Sequence, residues 1–448
     1  MNGLKIGYSK LNINPPMGIN VAGYYVVRKA EGILDDLYAS AMAVSDGANT
    51  ALMISLDLLG LRGRSCDEFI KVISEKTGIP EEAIFLSSSH THTGPLVDVD
   101  LTCEPEASYW KWLLKKICDV SNFAIKDLSD AKMAYGISEA PRISFGRRYK
   151  MKDGSCRTNP GVNNPDIVEP IGEVDERVSV VRFDREGKET VLLINFGTHP
   201  DVVGGNLISA DWPGFAKKTL EATLDNVSCI FFNGAQGDVN HVNVKPLPGE
   251  GNGMFHDFDD VDRGYPHARH MGNVIASAVL RVYEKLNYVE ADRVAFAKEN
   301  VKIPANVPAP EALPLAFKYN ELHLAGRDDE IPYKGMALTT ELARAARSIR
   351  LKDGPEFFEL PLTVIVIGKL GFIGIPGEPF TTIGLGLKAS ASDGEIIIPC
   401  ALTNGYKGYF PNMDAYTEGG YEAASSNFKA GVAEIIIEEG AKLLKKVL

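Results

Sequence analysis

Closely spaced cysteines are missing from this chain. Its six cysteines, Cys66, Cys103, Cys118, Cys156, Cys229 and Cys400, are scattered through 448 residues, which excludes a zinc ribbon and fits reduced thiols better than a disulfide framework. Long apolar runs are missing too. The run Thr363-Val364-Ile365-Val366-Ile367-Gly368 is cut by Lys369, well short of the roughly 20 residues a membrane helix needs. Basic charge is in deficit, with 47 Lys and Arg against 59 Asp and Glu, so a nucleic-acid or anionic-membrane binder is not expected and the expected partner is a small molecule. The opening Met1-Asn2-Gly3-Leu4-Lys5-Ile6-Gly7 has no basic head followed by an apolar region, which predicts a cytoplasmic protein. Internal repeats and low-complexity linkers are also absent.

What is present reads as a large α/β protein. Apolar, β-branched runs at 51–56, 190–196, 227–232, 362–367 and 395–399 predict buried strands. Helical periodicity covers 66–76, 108–128, 213–224, 271–286, 339–351 and 424–447. This alternation implies a large mixed or mostly parallel sheet flanked by helices. One domain over 1–448 is expected, with a small subdomain at 304–355 following the proline-rich 304–314. The loop-rich stretches 150–175 and 244–262 are expected to build the walls of a binding site.

Histidine is scarce, eight in all, and two stand in Ser88-Ser89-His90-Thr91-His92-Thr93-Gly94-Pro95 after the apolar Ala83-Ile84-Phe85-Leu86. In an extended segment His90 and His92 point to one face, Thr91 to the other, and the Gly-Pro turn leaves both imidazoles at a rim. A hydrogen-bonded surface pair would have the same spacing, but the pattern recurs. His199 follows the predicted strand 190–196 in Gly197-Thr198-His199-Pro200. Glu378 lies in Pro376-Gly377-Glu378-Pro379, where it serves either as a ligand or as a carboxylate at a helix N-terminus. Tyr406 and Tyr409 lie in Asn404-Gly405-Tyr406-Lys407-Gly408-Tyr409 and would otherwise be rim aromatics. Imidazole and carboxylate donors from separate strand ends suit Zn²⁺ better than calcium or magnesium. Such an ion activates water and polarises a carbonyl, the requirements of amide or ester hydrolysis.

His90-Thr91-His92-Thr93-Gly94-Pro95, Asn233-Gly234-Ala235-Gln236-Gly237-Asp238-Val239, Pro376-Gly377-Glu378 and the Tyr406 segment together resemble the neutral/alkaline non-lysosomal ceramidases. Arg157-Thr158-Asn159-Pro160-Gly161 and Gly420-Tyr421-Glu422-Ala423-Ala424-Ser425 add to the resemblance, which runs in the same order from about Ile6 to the end. It implies a ceramidase-like catalytic domain holding zinc through His90, His199, Glu378 and Tyr406, with Tyr409 close by as an alternative ligand or a catalytic residue. It also implies that His92 faces the substrate carbonyl, and that Gly23 and Arg147 line the pocket, with Arg148 as the alternative to Arg147.

Two features depart from the family pattern. Asn240 stands where family members carry a serine, so the implied chemistry is cleavage of an N-acyl amide, ceramide-like or soluble, by metal-activated water. The secreted members' signal peptide and C-terminal immunoglobulin-like domain are not seen. A metallo-esterase or lactonase, or an inactive binding protein, is the alternative. Asp57, Asp238 and His241 are candidates to orient a ligand histidine. His267 and His270 read as solvated or capping residues, and His256 as a possible gate.

Overall fold

The computed structural model describes residues 3–99 and 103–448. Among them a nine-stranded mixed sheet runs in the order Val227–Asn233, Thr190–Phe196, Arg177–Arg185, Ser129–Glu139, Lys5–Asn12, Tyr38–Ser45, Thr50–Leu56 and Ile84–Ser88, with Asn287–Val289 added beside Ser129–Glu139. Parallel pairing occurs only at its two ends, Thr190–Phe196 with Val227–Asn233 and Thr50–Leu56 with Ile84–Ser88. Everything between is antiparallel, so of the two expected arrangements the sheet is mixed and not mostly parallel.

Strand alternation sorts the core. Along Thr190–Phe196, Val191 and Leu193 join the cluster shared with helices Gly63–Thr77 and Ala107–Lys126, whereas Leu192 and Ile194 join the one under Asp211–Thr223 and Tyr265–Tyr283. Helix Gly63–Thr77 buries Cys66, Phe69, Ile70 and Ile73, one stripe at helical spacing, and ends at Gly78, whose φ of 75° lets its N–H close on the Ser74 carbonyl.

The sheet curls until its ends meet. Ser55 Oγ donates to the Phe231 carbonyl at 2.5 Å, and the Phe85 and Phe232 rings meet edge to face at 5.8 Å. A second sheet of Val294–Pro304, Phe357–Ile367, Leu370–Gly374 and Ile396–Cys400 covers helix Val432–Val447 through the apolar cluster of Leu362, Val364, Ile436 and Leu443. The chain leaving this sheet threads between the ends of the first: Ala401 N–H donates to the Asn233 carbonyl, Ser88 N–H to Leu402 and Asn404 N–H to Leu86. The ends of strands from both sheets therefore converge on one point.

One expectation gives way. The periodicity at 424–447 is not one helix: Tyr421–Ser425 ends, Phe428 makes a β-bridge to Ala305, and the chain re-enters a helix at Val432–Val447 through Gly431, whose φ of 100° no helix accommodates. The loop-rich 150–175 stretch contributes to a small three-stranded sheet of Arg148–Met151, Cys156–Thr158 and Ile167–Ile171. The helices Leu313–Leu324 and Gly335–Leu351, inside 304–355, share a small apolar cluster of their own around Tyr319 and Leu342.

Candidate metal centre

His90 does not continue a strand. The strand ends at Ser88, and His90 takes a left-handed φ of 79°, so the two imidazoles are brought together by a turn and not by alternation. Tertiary bonds hold that turn: His90 N–H donates to the Leu58 carbonyl and His92 N–H to Pro200, while Thr91 Oγ1 faces away and donates to Ser209 at 2.6 Å. The rings still meet, with centroids 4.9 Å apart for His90 and His92 and 4.9 Å for His90 and His199. Nor do they lie at an open rim, since His90 and His199 are each 1% exposed.

The Asn233-Gly234-Ala235-Gln236-Gly237 motif is the clamp. Asn233 Nδ2 donates to the carbonyls of Ser89 at 3.0 Å and Thr198 at 3.3 Å, joining the two histidine segments. Gly237 lies so close to Glu378 that a Cβ there would sit 2.5 Å from its carbonyl oxygen. Glu378 is fixed in turn by parallel pairing of Glu378–Pro379 with Tyr409–Phe410. It is fully buried and belongs to no helix N-terminus.

His90 Nδ1 lies 2.7 Å from the Leu59 carbonyl and His199 Nδ1 2.9 Å from the Gln236 carbonyl. A carbonyl only accepts, so both Nδ1 atoms carry a proton, which in a neutral imidazole leaves Nε2 with the lone pair that can bind an ion. Those Nε2 atoms lie 3.2 and 3.1 Å from the same Glu378 oxygen, Oε2. Burial, with the Arg147 charge behind it, lowers the His199 pKa. Both imidazoles thus turn Nε2 toward the buried carboxylate, and among the described residues neither Glu378 oxygen nor His90 Nε2 has a hydrogen-bond partner. Such a cluster of acceptors is costly unless a cation sits among them.

The donor set fits a metal ion. His90, His92 and His199 each offer a ring nitrogen, all within 4.8 Å of one another, and 3.1–3.2 Å between Nε2 and Oε2 is close to the roughly 3.3 Å expected of two ligands about 2 Å from a tetrahedral centre. The Leu59 and Gln236 carbonyls, by accepting from Nδ1, orient the two imidazoles. Asp57, Asp238 and His241 do not supply it. Asp57 pairs with Lys217 at 2.8 Å, Asp238 accepts from the N–H and hydroxyl of Thr381, and His241 lies between Asp201 and the Asp262 carbonyl.

Both tyrosines reach the cluster. Tyr406 packs on His90 at 5.5 Å, and burial followed by the Glu378 charge raises its pKa. The Tyr409 hydroxyl is 3.4 Å from His199 Nε2. Of the two adjacent arginines, Arg147 is the one at the site: its guanidinium lies over the Tyr409 ring at 5.3 Å and donates to the Gly237 carbonyl at 2.7 Å. Arg148 turns instead to Glu418 at 2.8 Å. Asn240 is spent on structure, donating to Asn159 Oδ1 and accepting from Val242 N–H.

A cleft of about 400 Å³ reaches the cluster, lined by Glu378, Tyr406 and Tyr409. Its walls come from residues 22–25, 59–60, 62–63, 95–99 and 406–409, with Arg350, Tyr421, Ser425 and Asn427, and not from 150–175 or 244–262. His256 is likewise no gate, being exposed and paired with Asp260 and Asp262. The 244–262 stretch instead borders a separate cavity of about 290 Å³ beside His241, His267 and His270.

Several site residues escaped the sequence reading. Arg28 donates to the carbonyls of Ala22 and, at 2.7 Å, His92, and stacks on Tyr24 at 4.3 Å; nothing local marks it. Asp201, two residues beyond His199, faces His241 at 3.3 Å. Gly23, which the resemblance had already placed on the pocket, has φ 117°, and a Cβ there would lie 2.9 Å from the Cα, Cβ and Cγ of His92. Gly23→Ala is therefore expected to push His92 out of place and cost roughly 1–3 kcal/mol, read as a lowered urea midpoint and as a displaced His92 ring in a crystal structure of the variant.

No protein-family model matches the chain, and no curated protein matches it in sequence. Solved structures do. Neutral ceramidase from Pseudomonas aeruginosa superposes with a TM-score of 0.74 at 17% identity over 99% of this chain and 74% of its own. A ceramidase complexed with C2 gives a TM-score of 0.73 at 17% identity over 99% of this chain and 75% of its own. The chain has the neutral ceramidase fold.

Proposed function

We propose that this chain, built on the neutral ceramidase fold, is a zinc-dependent hydrolase of N-acyl amides. The observation that carries the reading is the convergence of two imidazole Nε2 atoms on one buried carboxylate oxygen beside a cleft. In this reading His90, His199, Glu378 and Tyr406 hold the ion, which when bound supplies Lewis acidity and activates water near neutral pH.

The chain's own residues do the rest. Burial, then the neighbouring His90, keeps the His92 imidazole neutral well into acid, so one of its ring nitrogens, which lack partners among the described residues, donates to the substrate carbonyl oxygen as charge gathers there. Arg147, held against Tyr409, keeps that hydroxyl oriented toward His199 and the reacting carbonyl. Cleavage breaks the C–N bond, forms a C–O bond from water, and leaves a carboxylate and an amine that takes up the proton. No protein nucleophile is required, and Asn240 faces away from the cleft into its bonds with Asn159 and Val242. Its presence in place of the family serine therefore does not argue for an inactive protein.

The test is a panel of N-acyl amides and matched esters, incubated with zinc-replete protein and assayed for released fatty acid and amine. Amide cleavage that disappears with a chelator and returns with zinc supports the proposal. An inert panel with zinc bound, or cleavage confined to esters, overturns it.

A further inference from the structure

The cleft wall beyond the candidate metal centre is cationic. Arg62, Arg350 and Lys407 line it, and apart from Glu378 the acidic lining residue among the described residues is Asp98. Asp98 is already engaged, accepting from Arg62 N–H at 2.7 Å. Arg350 Nη2 donates to a neutral partner, Asn427 Oδ1, at 2.6 Å, and the same amide's Nδ2 donates to the Lys407 carbonyl at 2.9 Å. One asparagine thus fixes the arginine beside the lysine-bearing loop. Neither Arg350 nor Lys407 has an acidic partner among the described residues. Arg350 is also close enough to Arg62 to be repelled: burial, with the Arg62 charge adding to it, lowers the Arg350 pKa.

The position of this patch matters. Arg62 lies over the Tyr406 ring at 4.7 Å, and Tyr406 packs on His90 at 5.5 Å, so the cations stand one aromatic ring from the reacting centre. Leu59, Leu96 and Ala22 form an apolar cluster on the same cleft, with Tyr406 against it, and suit an acyl chain. A neutral sphingoid amide would leave Arg350 and Lys407 with no acidic group to face among the described residues. An oxyanion placed against Arg350 and Lys407 gains charge-assisted hydrogen bonds from both.

We propose that the substrate is an N-acyl amide bearing an anionic oxygen group, carboxylate or phosphate, a few bonds from the scissile bond, received by Arg350 and Lys407 with Arg62 beside them. This rests on the hydrolase reading, and binding separates the two.

The experiment is calorimetric titration of the zinc-replete wild type and of the Arg350→Gln/Lys407→Gln double variant with non-cleavable ketone analogues, the amide nitrogen replaced by CH₂. The analogues are those of N-dodecanoylglycine, its neutral primary amide, and N-dodecanoylethanolamine phosphate. The expected result is wild-type binding of at least one anionic analogue roughly tenfold or more tighter than the neutral one, a preference that weakens with added salt and is lost in the variant. Whichever anionic arm binds tighter identifies the carboxylate or the phosphate as the source. Equal binding of charged and neutral analogues, or a preference that survives the double substitution with circular dichroism unchanged, overturns the proposal. Cleavage of neutral amides without any anion preference would sink the anion site and leave the hydrolase reading standing; anion preference without cleavage of any amide would do the reverse.

Discussion

Glu378→Gln should strip the protein of bound metal and lower amide hydrolysis by roughly a thousandfold or more, while leaving the fold intact or firmer. The unusual half of this expectation is the second. Glu378 Oε2 faces the Nε2 atoms of His90 and His199 at 3.2 and 3.1 Å, and both imidazoles spend their Nδ1 protons on backbone carbonyls. A glutamine in the same volume places an NH₂ where that oxygen stood, and its two N–H groups satisfy both lone pairs without an ion. Metal-free wild type, with acceptors facing acceptors, should accordingly melt below metal-free Glu378→Gln, and added zinc should raise only the wild type. The competing account makes the cluster a structural imidazolium–carboxylate pair. On that account the substitution leaves buried positive charge uncompensated, and the variant melts well below the wild type with or without zinc.

The second large effect concerns stability. Glu422→Ala should cost about 3–5 kcal/mol, read from denaturant midpoints. Glu422 is fully buried and Arg147 nearly so, with Arg147 Nε 2.6 Å from Glu422 Oε1, and Thr158 Oγ1 donates to the other oxygen at 2.9 Å. Burial alone would lower the Arg147 pKa, yet Tyr409 and Glu422 around it raise it well above the ordinary value. Removing the carboxylate therefore strands a buried guanidinium. Arg147→Met/Glu422→Leu should recover most of the stability, because Arg148 keeps its own partner in Glu418, but not the activity, because nothing then orients Tyr409. Recovery of both would show that Arg147 has no part in catalysis.

This ion pair also shows what a linear sequence conveys and what it does not. The segments 157–161 and 420–425 both stood out as resemblance motifs, and both end on the same pair: Thr158 and Glu422 hold Arg147, and Tyr421 packs on Tyr409 at 5.5 Å. That they meet was not legible, because 264 positions separate Thr158 from Glu422. The strands at 190–196 and 227–233 were legible from their continuous apolar runs, since buried parallel pairs carry no alternation. The antiparallel middle of the sheet, with strands such as Ser129–Glu139 that mix exposed and buried residues, gave a weaker signal.

The candidate ligands were legible as residues and wrong as local geometry. Alternation in Ser-Ser-His-Thr-His favoured a strand, whereas the bonds of His90 N–H to Leu58 and of His92 N–H to Pro200 impose a turn. Asp57, Asp238 and His241 looked like orienting groups because polar residues near a site usually have a task; theirs is to satisfy Lys217, Thr381 and Asp201. The walls of the cleft were misplaced since loop-rich length pointed to 150–175 and 244–262, while the short segments around Gly23, Leu59 and Val97 do that work.

The central claim is that buried acceptors meet at a point that calls for a cation. Elemental mass spectrometry of the wild-type protein, purified without added metal or chelator and again after incubation with zinc and removal of the excess, tests it most directly. The account predicts about one zinc per folded chain, falling to background in His199→Ala. A well-folded wild type that stays free of zinc after the ion has been offered would contradict it.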